Sequence, residues 1–261
     1  MINEGGTMSK IPLMIVIYTC FAISTAQVRA DSRVITLWNY YLSPPFQISG
    51  DEGLAFDFVN LLNDEFRGRF VFRLDSLPRA RLNKYLAEQK QGLVLFVNWR
   101  WMGDGAEANY LWTPPLWQDR NEVISSIENK VVFDGPESLK GLTLVAVRGR
   151  KYKSLEPLFA RSEITRFNVN REEQALALLL KSRGDLTIQP RSVVMFLLNE
   201  LNLQNKIYLS PTPFFSFTRH IMLTPGLIEL HPELSEFVLQ LDTNVRWQNI
   251  LQKYDLVEET E

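Results

Sequence analysis

Arginine is the residue type in this chain that most clearly offers chemistry. Arg148 and Arg150 flank Gly149 directly after an apolar run, and Arg79 and Arg81 open a predicted helix. A guanidinium pairs with carboxylates and other anions bidentately, and a glycine after a strand leaves backbone N–H groups free to receive an anion. These positions therefore predict contacts to an anionic group. The alternative is that the four side chains are solvated or form structural ion pairs.

Aromatic side chains form the second group of candidates. The stretch WNYYLSPPF places Tyr40, Tyr41 and Phe46 around a stiff Ser-Pro-Pro turn after an apolar run, and Trp99 and Trp117 fall in later segments. Aromatic rings supply flat apolar contact together with a polar handle. Combined with the arginines, they favour an anionic or aromatic small molecule over a cationic amino acid. The alternative is that these rings belong to the core.

The sequence lacks the usual motifs of catalysis and of metal binding. The histidines, His220 and His231, are isolated, and no His-Glu-x-x-His, Gly-x-Ser-x-Gly or Gly-x-x-x-x-Gly-Lys motif occurs. Asp104 and Glu107 form a carboxylate pair that a solvated loop explains better. We therefore expect a protein that is not an enzyme, with no catalytic residue, metal or cofactor.

The overall composition sets limits on size and partners. The chain has 261 residues with 46% hydrophobic residues, enough for one large domain or two small ones. Its formal net charge is −2, so no basic field indicates nucleic acid as a partner.

The first thirty residues have the pattern of an export signal. Lys10 precedes an apolar run over 11–26, and Ala30 follows as a small residue at the end. This pattern predicts a cleavable signal peptide over 1–30, although an uncleaved anchor is the alternative. The only cysteine, Cys20, lies within it, so the mature chain has no disulfide. A chain of this size without disulfides suggests the bacterial periplasm.

Apolar periodicity predicts two α/β units in series, each with strands covered by helices. The first unit has strands at 34–38, 70–74 and 93–97 and helices at 56–65 and 79–88. The second has strands at 142–147, 164–169, 185–188 and 206–209 and helices at 152–159, 172–180 and 193–201, before a helical tail at 232–254.

Loops after the strands are the places where a ligand is expected. Ligands of open α/β sheets bind outside the carboxyl ends of the strands. We therefore expect a cleft lined by residues 39–46, 75–79, 98–104, 148–152 and 189–192.

Seven short segments, in order along the chain, carry a family resemblance. They are YLSPPF (41–46), GLAFDF (53–58), LPRAR (77–81), WTPPLW (112–117), LKGLTLVAV (139–147), RGD (183–185) and WQNILQKY (247–254). Together they resemble the bacterial family 3 extracellular solute-binding proteins, of the polar amino-acid-binding type. The resemblance covers nearly the whole mature chain.

That resemblance implies a fold and a function. The fold would be α/β, a type II periplasmic binding protein with two lobes, a two-strand hinge and a ligand cleft. Lobe 1 would comprise 31–127 and 213–261, and lobe 2 would comprise 128–212. The protein would be a periplasmic monomer that captures a small polar or anionic solute, amino-acid-like or an organic or aromatic acid, for an ABC-type permease. The alternatives are a sensory module that signals to a separate membrane receptor, or a lyase or dehydratase of the same fold.

The first departure from the family pattern concerns the arginine that grips a ligand carboxylate. Its Thr-x-x-Arg stretch falls here on Gly103 and Ala106, so the motif is absent. Arg100 is the candidate substitute in the same segment, and its neighbours Asn98 and Trp99 are further candidate ligand contacts.

The second departure concerns the aspartate that pairs with a ligand ammonium group. Its position reads Gln189, followed by Pro190 and Arg191. Without that carboxylate, a standard α-amino acid is a less suitable ligand. Gln189 and Arg191 stay candidate ligand contacts.

Overall fold

The computed structural model describes residues 1–2, 5 and 32–256, and the predicted signal peptide falls almost entirely outside them. The chain from Ser32 onward forms an α/β unit, which confirms the predicted fold class. The strands are β1 (Arg33–Asn39), β2 (Phe70–Ser76), β3 (Leu93–Val97), β4 (Leu111–Trp112), β5 (Trp117–Ser126), β6 (Thr143–Val147), β7 (Thr165–Val169), β8 (Thr187–Pro190), β9 (Ile207–Leu209) and β10 (Phe215–Leu223).

Helices follow most of these strands. They are α1 (Leu54–Glu65), α2 (Arg79–Ala87), α3 (Ala106–Asn109), α4 (Glu156–Ala160), α5 (Glu172–Leu179), α6 (Arg191–Glu200), α7 (His231–Leu239) and α8 (Val245–Lys253).

Two long antiparallel strands connect the two halves of the unit. The main sheet runs in the order β2-β1-β3-β10-β5-β8, with β4 paired to β10 and β9 to β5. A second sheet holds β6 and β7, and a bridge from Leu144 to Leu186 links it to the chain just before β8. The chain therefore crosses through β5 and β10 between one lobe built on β1–β3 and another built on β6–β9. The exact lobe boundaries given above stay a prediction.

The loop after β1 is held by the start of α1. Gly53 has φ +135°, and a Cβ there would lie 2.6 Å from the Phe46 carbonyl oxygen. The backbone N–H of Leu54 donates to the Pro45 carbonyl at 2.8 Å, and that of Ala55 to the Phe46 carbonyl at 3.1 Å. Two amides at the start of α1, where helical partners are missing, thus fix the Ser-Pro-Pro turn and its aromatic residues.

The larger hydrophobic core includes side chains from both lobes. It contains Phe58 and Trp247 of the first lobe and Leu176 and Val194 of the second. A smaller core lies within the second lobe, around β6 and α4.

Several element predictions were wrong in their bounds. The tail is two helices, because Asn244 Oδ1 accepts from the Trp247 N–H at 3.0 Å and starts α8 anew. The helix predicted at 152–159 begins only at Glu156, since a proline at position 157 is tolerated only in the first turn. The strand predicted at 185–188 corresponds to β8, which begins and ends two residues later than predicted. The helix α6 therefore begins directly after Pro190.

Candidate functional site

Arg219 lies at the centre of the candidate site, on the crossing strand β10, and its side chain is fully buried. Its Nε donates to Asp119 Oδ2 at 2.7 Å, and its Nη1 donates to the Phe96 carbonyl at 2.9 Å. Its Nη2 lies 3.4 Å from Ser192 Oγ. The guanidinium therefore has partners from β5, β3 and α6.

Aromatic rings surround this guanidinium. The distances from its central carbon to the ring centroids are 4.8 Å for Phe46, 4.9 Å for Tyr41, 5.2 Å for Phe217, 5.7 Å for Trp117 and 5.9 Å for Trp101. We call these five rings the arginine cage. A cation near aromatic faces is attracted by their quadrupoles, more strongly when water is excluded.

The charge of Arg219 is kept despite its burial. Burial alone disfavours the charged form, but Asp119 and then the Tyr41 hydroxyl favour it, and the pKa of Arg219 is raised. The guanidinium is therefore a permanent cation inside the protein.

Asp119 connects three parts of the chain. Besides Arg219, its carboxylate accepts from the Ser192 hydroxyl at 2.7 Å and the Ser192 N–H at 3.3 Å. The N–H of Arg120 donates to it at 2.8 Å. A carboxylate at the first turn of a helix satisfies amides that lack helical partners. Asp119 thus attaches the start of α6 to both crossing strands.

Tyr40 lies beside the arginine cage and stacks on its member Tyr41. Their rings stack with centroids 4.3 Å apart, and their hydroxyls share a hydrogen bond of 2.9 Å. The Arg79 guanidinium lies 5.0 Å from the Tyr40 ring centroid and donates to the Trp101 carbonyl. Burial, and then the neighbouring Tyr41, raises the pKa of Tyr40. The Tyr40 hydroxyl is therefore a neutral hydrogen-bonding group beside the arginine cage.

Glu172, the first residue of α5, forms a contact between the lobes. The Ser43 hydroxyl of the loop after β1 donates to Glu172 Oε2 at 2.7 Å. Arg150 Nη2 donates to Glu172 Oε1 at 3.1 Å, and Arg150 Nη1 donates to the Ile188 carbonyl at 3.2 Å. We call Ser43, Arg150 and Glu172 the Glu172 junction.

Gln189 lies beside the Glu172 junction and is fully buried. Its Nε2 donates to the Glu172 carbonyl at 3.1 Å, which fixes the orientation of the carboxamide. Its Oε1 has no hydrogen-bond partner among the described residues. An unsatisfied buried acceptor costs about 1–3 kcal/mol, so a hydrogen-bond donor that reached this atom would remove that cost.

Four buried side-chain polar atoms have no hydrogen-bond partner among the described residues. They are Gln47 Oε1 in the loop after β1, Ser76 Oγ at the end of β2, Gln189 Oε1 in β8 and Ser235 Oγ in α7. The first three lie on segments that the sequence assigns to the cleft or adjoin them.

Two further arginines near the crossing strands pair with Glu122, whereas Arg148 does not form an ion pair among the described residues. Arg191 Nη1 donates to Glu122 Oε1 at 3.0 Å, and Arg120 Nε donates to the same oxygen at 2.8 Å. Arg148 is exposed, and its Nε lies 3.3 Å from Asn170 Oδ1. Arg191 thus holds a buried carboxylate at the hinge.

The segment 98–101 forms a tight turn against β10. The buried Asn98 donates through Nδ2 to the Thr218 carbonyl at 2.9 Å and accepts from the Arg100 N–H at 3.1 Å. The Trp99 ring lies 5.2 Å from the His220 ring. Arg81 and Arg100 are exposed, and neither side chain has a partner among the described residues.

His220 is held in a structural network behind this turn. Its Nδ1 lies 2.8 Å from the Thr113 carbonyl, so this nitrogen donates, and its Nε2 accepts from the Thr218 hydroxyl at 2.6 Å. Burial lowers the pKa of His220. The imidazole is therefore neutral at pH 7.

The structure brings part of the predicted site together. Tyr41, Phe46 and Trp117 belong to the arginine cage, with Tyr40 and Arg79 beside it, whereas Arg81, Arg100 and Arg148 face solvent. The role of each of these residues in ligand binding stays a prediction.

Sequence reasoning missed Arg219, Asp119 and Glu172 as members of the site. One signal was available for the first, since Arg219 interrupts the apolar run FSFTRHIML. Asp119 lies in the polar stretch WQDRNEV, which resembles a solvated segment.

Two further properties concern the described residues alone. They contain no group of three or more His, Cys, Asp or Glu side chains arranged to hold a metal ion. None of their helices combines the length and the apolar character needed to cross a bilayer.

No protein-family model and no curated protein sequence matches the chain. Solved structures do match. An ancestral arginine-binding protein bound to arginine superposes with a TM-score of 0.65 at 13% identity, over 85% of this chain and 97% of the other. The substrate-binding protein of an amino acid ABC transporter superposes with a TM-score of 0.58 at 15% identity, over 85% and 98%.

A periplasmic domain that is part of a longer chain has the same fold. The BvgS periplasmic domain of B. pertussis superposes with a TM-score of 0.66 at 19% identity, over 86% of this chain and 43% of the other. At such identities the likeness shows the fold alone. It confirms the two-lobed type II periplasmic binding protein fold, the fold of the proteins that the sequence motifs resemble.

Proposed function

We propose that this protein binds a small polar or anionic solute in the cleft between its lobes, at the Glu172 junction. The observation that carries the proposal is Gln189 Oε1, a buried acceptor without a partner among the described residues. A ligand N–H or O–H group that meets it removes the cost of leaving it unsatisfied. The Glu172 junction lies between the lobes, so a ligand there contacts both of them.

Chemistry at the junction narrows the class of solute. The Arg150 side chain is held by its ion pair with Glu172 and is one-quarter exposed. Its guanidinium can therefore also bind a ligand carboxylate. Ser43 supplies a hydroxyl from the opposite lobe. A carboxylic acid that also carries a hydrogen-bond donor, amino-acid-like or an organic or aromatic acid, suits this set of groups.

The partner of the liganded protein is an ABC-type permease. The motif resemblance and the transporter protein of the same fold support this assignment. The signal-peptide pattern supports the periplasm as the site of action. Binding closes the lobes about β5 and β10, because hinge closure around a ligand is a common motion of two-lobed proteins.

A sensory role is the second candidate. It is favoured by the likeness to the BvgS periplasmic domain, whose TM-score of 0.66 and identity of 19% are both higher than the 0.58 and 15% of the transporter protein. Neighbouring genes separate the two roles: permease and ATPase genes indicate transport, and a sensor kinase or cyclase gene indicates sensing.

A thermal-shift screen of the purified chain tests the proposal. The screen covers amino acids, organic acids, aromatic acids and short peptides. A ligand present at about 100 times its dissociation constant adds about 2.7 kcal/mol to the free energy of unfolding, a shift of several degrees. We expect a carboxylic acid among the hits, and a screen without any hit contradicts the proposal.

A further inference from the structure

The surroundings of Arg219 have the features of a receptor for a guanidinium group. Three hydrogen-bonding groups meet its nitrogens: the Asp119 carboxylate, the Phe96 carbonyl and the Ser192 hydroxyl. The five rings of the arginine cage lie within 6 Å of its central carbon. Carboxylate pairing and ring stacking both suit a planar guanidinium better than a compact ammonium ion.

These groups converge from distant parts of the chain. Asp119 belongs to β5, Phe96 to β3, and Ser192 to α6, while the rings of Tyr41 and Phe46 come from the loop after β1. Many of their contacts are independent of Arg219: Asp119 is bonded to α6 through Ser192, and Phe46 packs on Phe96 with centroids 5.4 Å apart. The receptor is therefore held by the fold as well as by its occupant.

We propose that these groups form an alkylguanidinium-binding site at the hinge, which the chain occupies with its own Arg219. The occupied site is closed to guanidinium-bearing solutes, and truncation of Arg219 opens it. The proposal does not rest on the solute-binding function, because it concerns a site that can be probed with a small guanidinium compound alone.

The test is chemical rescue of the Arg219→Ala variant of the full chain. This substitution removes a fragment that corresponds to ethylguanidinium. Thermal unfolding and calorimetric titration are measured with ethylguanidinium. Ethylammonium, a cation with the same ethyl group but no guanidinium plane, is the comparison compound. We expect ethylguanidinium to raise the melting temperature of R219A by several degrees. We also expect it to bind R219A about tenfold more tightly than ethylammonium does.

Wild-type protein and the variant Arg246→Ala serve as controls. Arg246 pairs with Asp64 at 2.7 Å but is 57% exposed, so its removal leaves no enclosed site. Neither control should be stabilised by ethylguanidinium. The proposal is overturned if R219A folds and ethylguanidinium stabilises it no more than ethylammonium, or if the R246A variant responds equally.

Asp119 is left buried and unpaired in R219A, so that variant can fail to fold. Recovery of the folded state on adding ethylguanidinium then supports the proposal. If R219A stays unfolded in every condition, NMR of the wild type decides. A protected Arg219 Nε–H signal shifted by ring currents supports the caged guanidinium, and an unshifted signal in rapid exchange with water overturns it.

Discussion

The Ser43 hydroxyl donates a 2.7 Å hydrogen bond to Glu172 Oε2 and so joins the loop after β1 to the first residue of α5. Ser43 belongs to the first lobe and Glu172 to the second. The same carboxylate also accepts from Arg150, so a single buried side chain connects a neutral donor of one lobe with a cation of the other.

Replacing Ser43 by alanine should weaken the contact between the lobes. A hydrogen bond to a charged group contributes about 1.5–3 kcal/mol, and we expect S43A to lose about 1.5 kcal/mol of unfolding free energy in urea. The matched control is Ser49→Ala, because Ser49 Oγ donates to Glu52 at an exposed site. Equal losses in the two variants would contradict this assignment.

Replacing Asp119 by asparagine should destabilise the protein strongly. The substitution leaves the buried Arg219 guanidinium without its counter-ion, and breaking a buried ion pair from one side costs about 3–5 kcal/mol. Chemical denaturation measures the loss. In the control Asp64→Asn, the affected pairs with Arg67 and Arg246 are exposed, so the loss should be much smaller. Comparable losses would mean that Arg219 is not desolvated.

Tyr254 should make stability fall at alkaline pH. Its burial, and then its hydrogen bond to Asp57 at 2.8 Å, raises its pKa to about 12. The ordinary value is near 10, so the folded state favours the neutral phenol. The contribution of the neutral Tyr254 phenol to the free energy of unfolding is fully present below about pH 10 and is lost as the pH rises toward 12. Urea denaturation over this range should show a steeper loss for wild type than for Tyr254→Phe, and parallel curves would refute the shift.

Sequence patterns were most informative where residues interact locally. The predicted strand 93–97 coincides with β3, whose five residues are all apolar and buried, and the predicted strands 34–38 and 70–74 lie within β1 and β2. Apolar runs suffice to locate β1 and β3, because most of their side chains face covered surfaces. The strand β2 could be located by its alternating pattern, with Phe72 as its buried residue.

The crossing strands could not be located in the same way. The first half of β5 carries Asp119, Arg120, Asn121 and Glu122 in succession, so it lacks the apolar alternation of an ordinary strand. Two of these residues, Asp119 and Glu122, are nevertheless buried because cations from elsewhere in the chain meet them.

The candidate site was only partly predictable for the same reason. Tyr41, Phe46 and Trp117 could be selected as aromatics on predicted loops, although Trp117 begins β5, but their shared neighbour Arg219 is paired with a residue 100 positions away. No local pattern encodes such a pair. Gln189 could be selected only through the family resemblance. That its Oε1 has no hydrogen-bond partner among the described residues can be seen only in the folded structure.

The central claim, that a solute binds between the lobes at Gln189, is tested most directly by calorimetric titration of the best hit from the thermal-shift screen. Wild type is compared with Gln189→Met, which keeps the size of the side chain, and with Ser235→Ala, which removes an atom in α7 that also lacks a partner among the described residues. We predict that S235A binds like wild type and that Q189M stays folded but binds at least about tenfold more weakly. Unchanged affinity in Q189M would contradict the account.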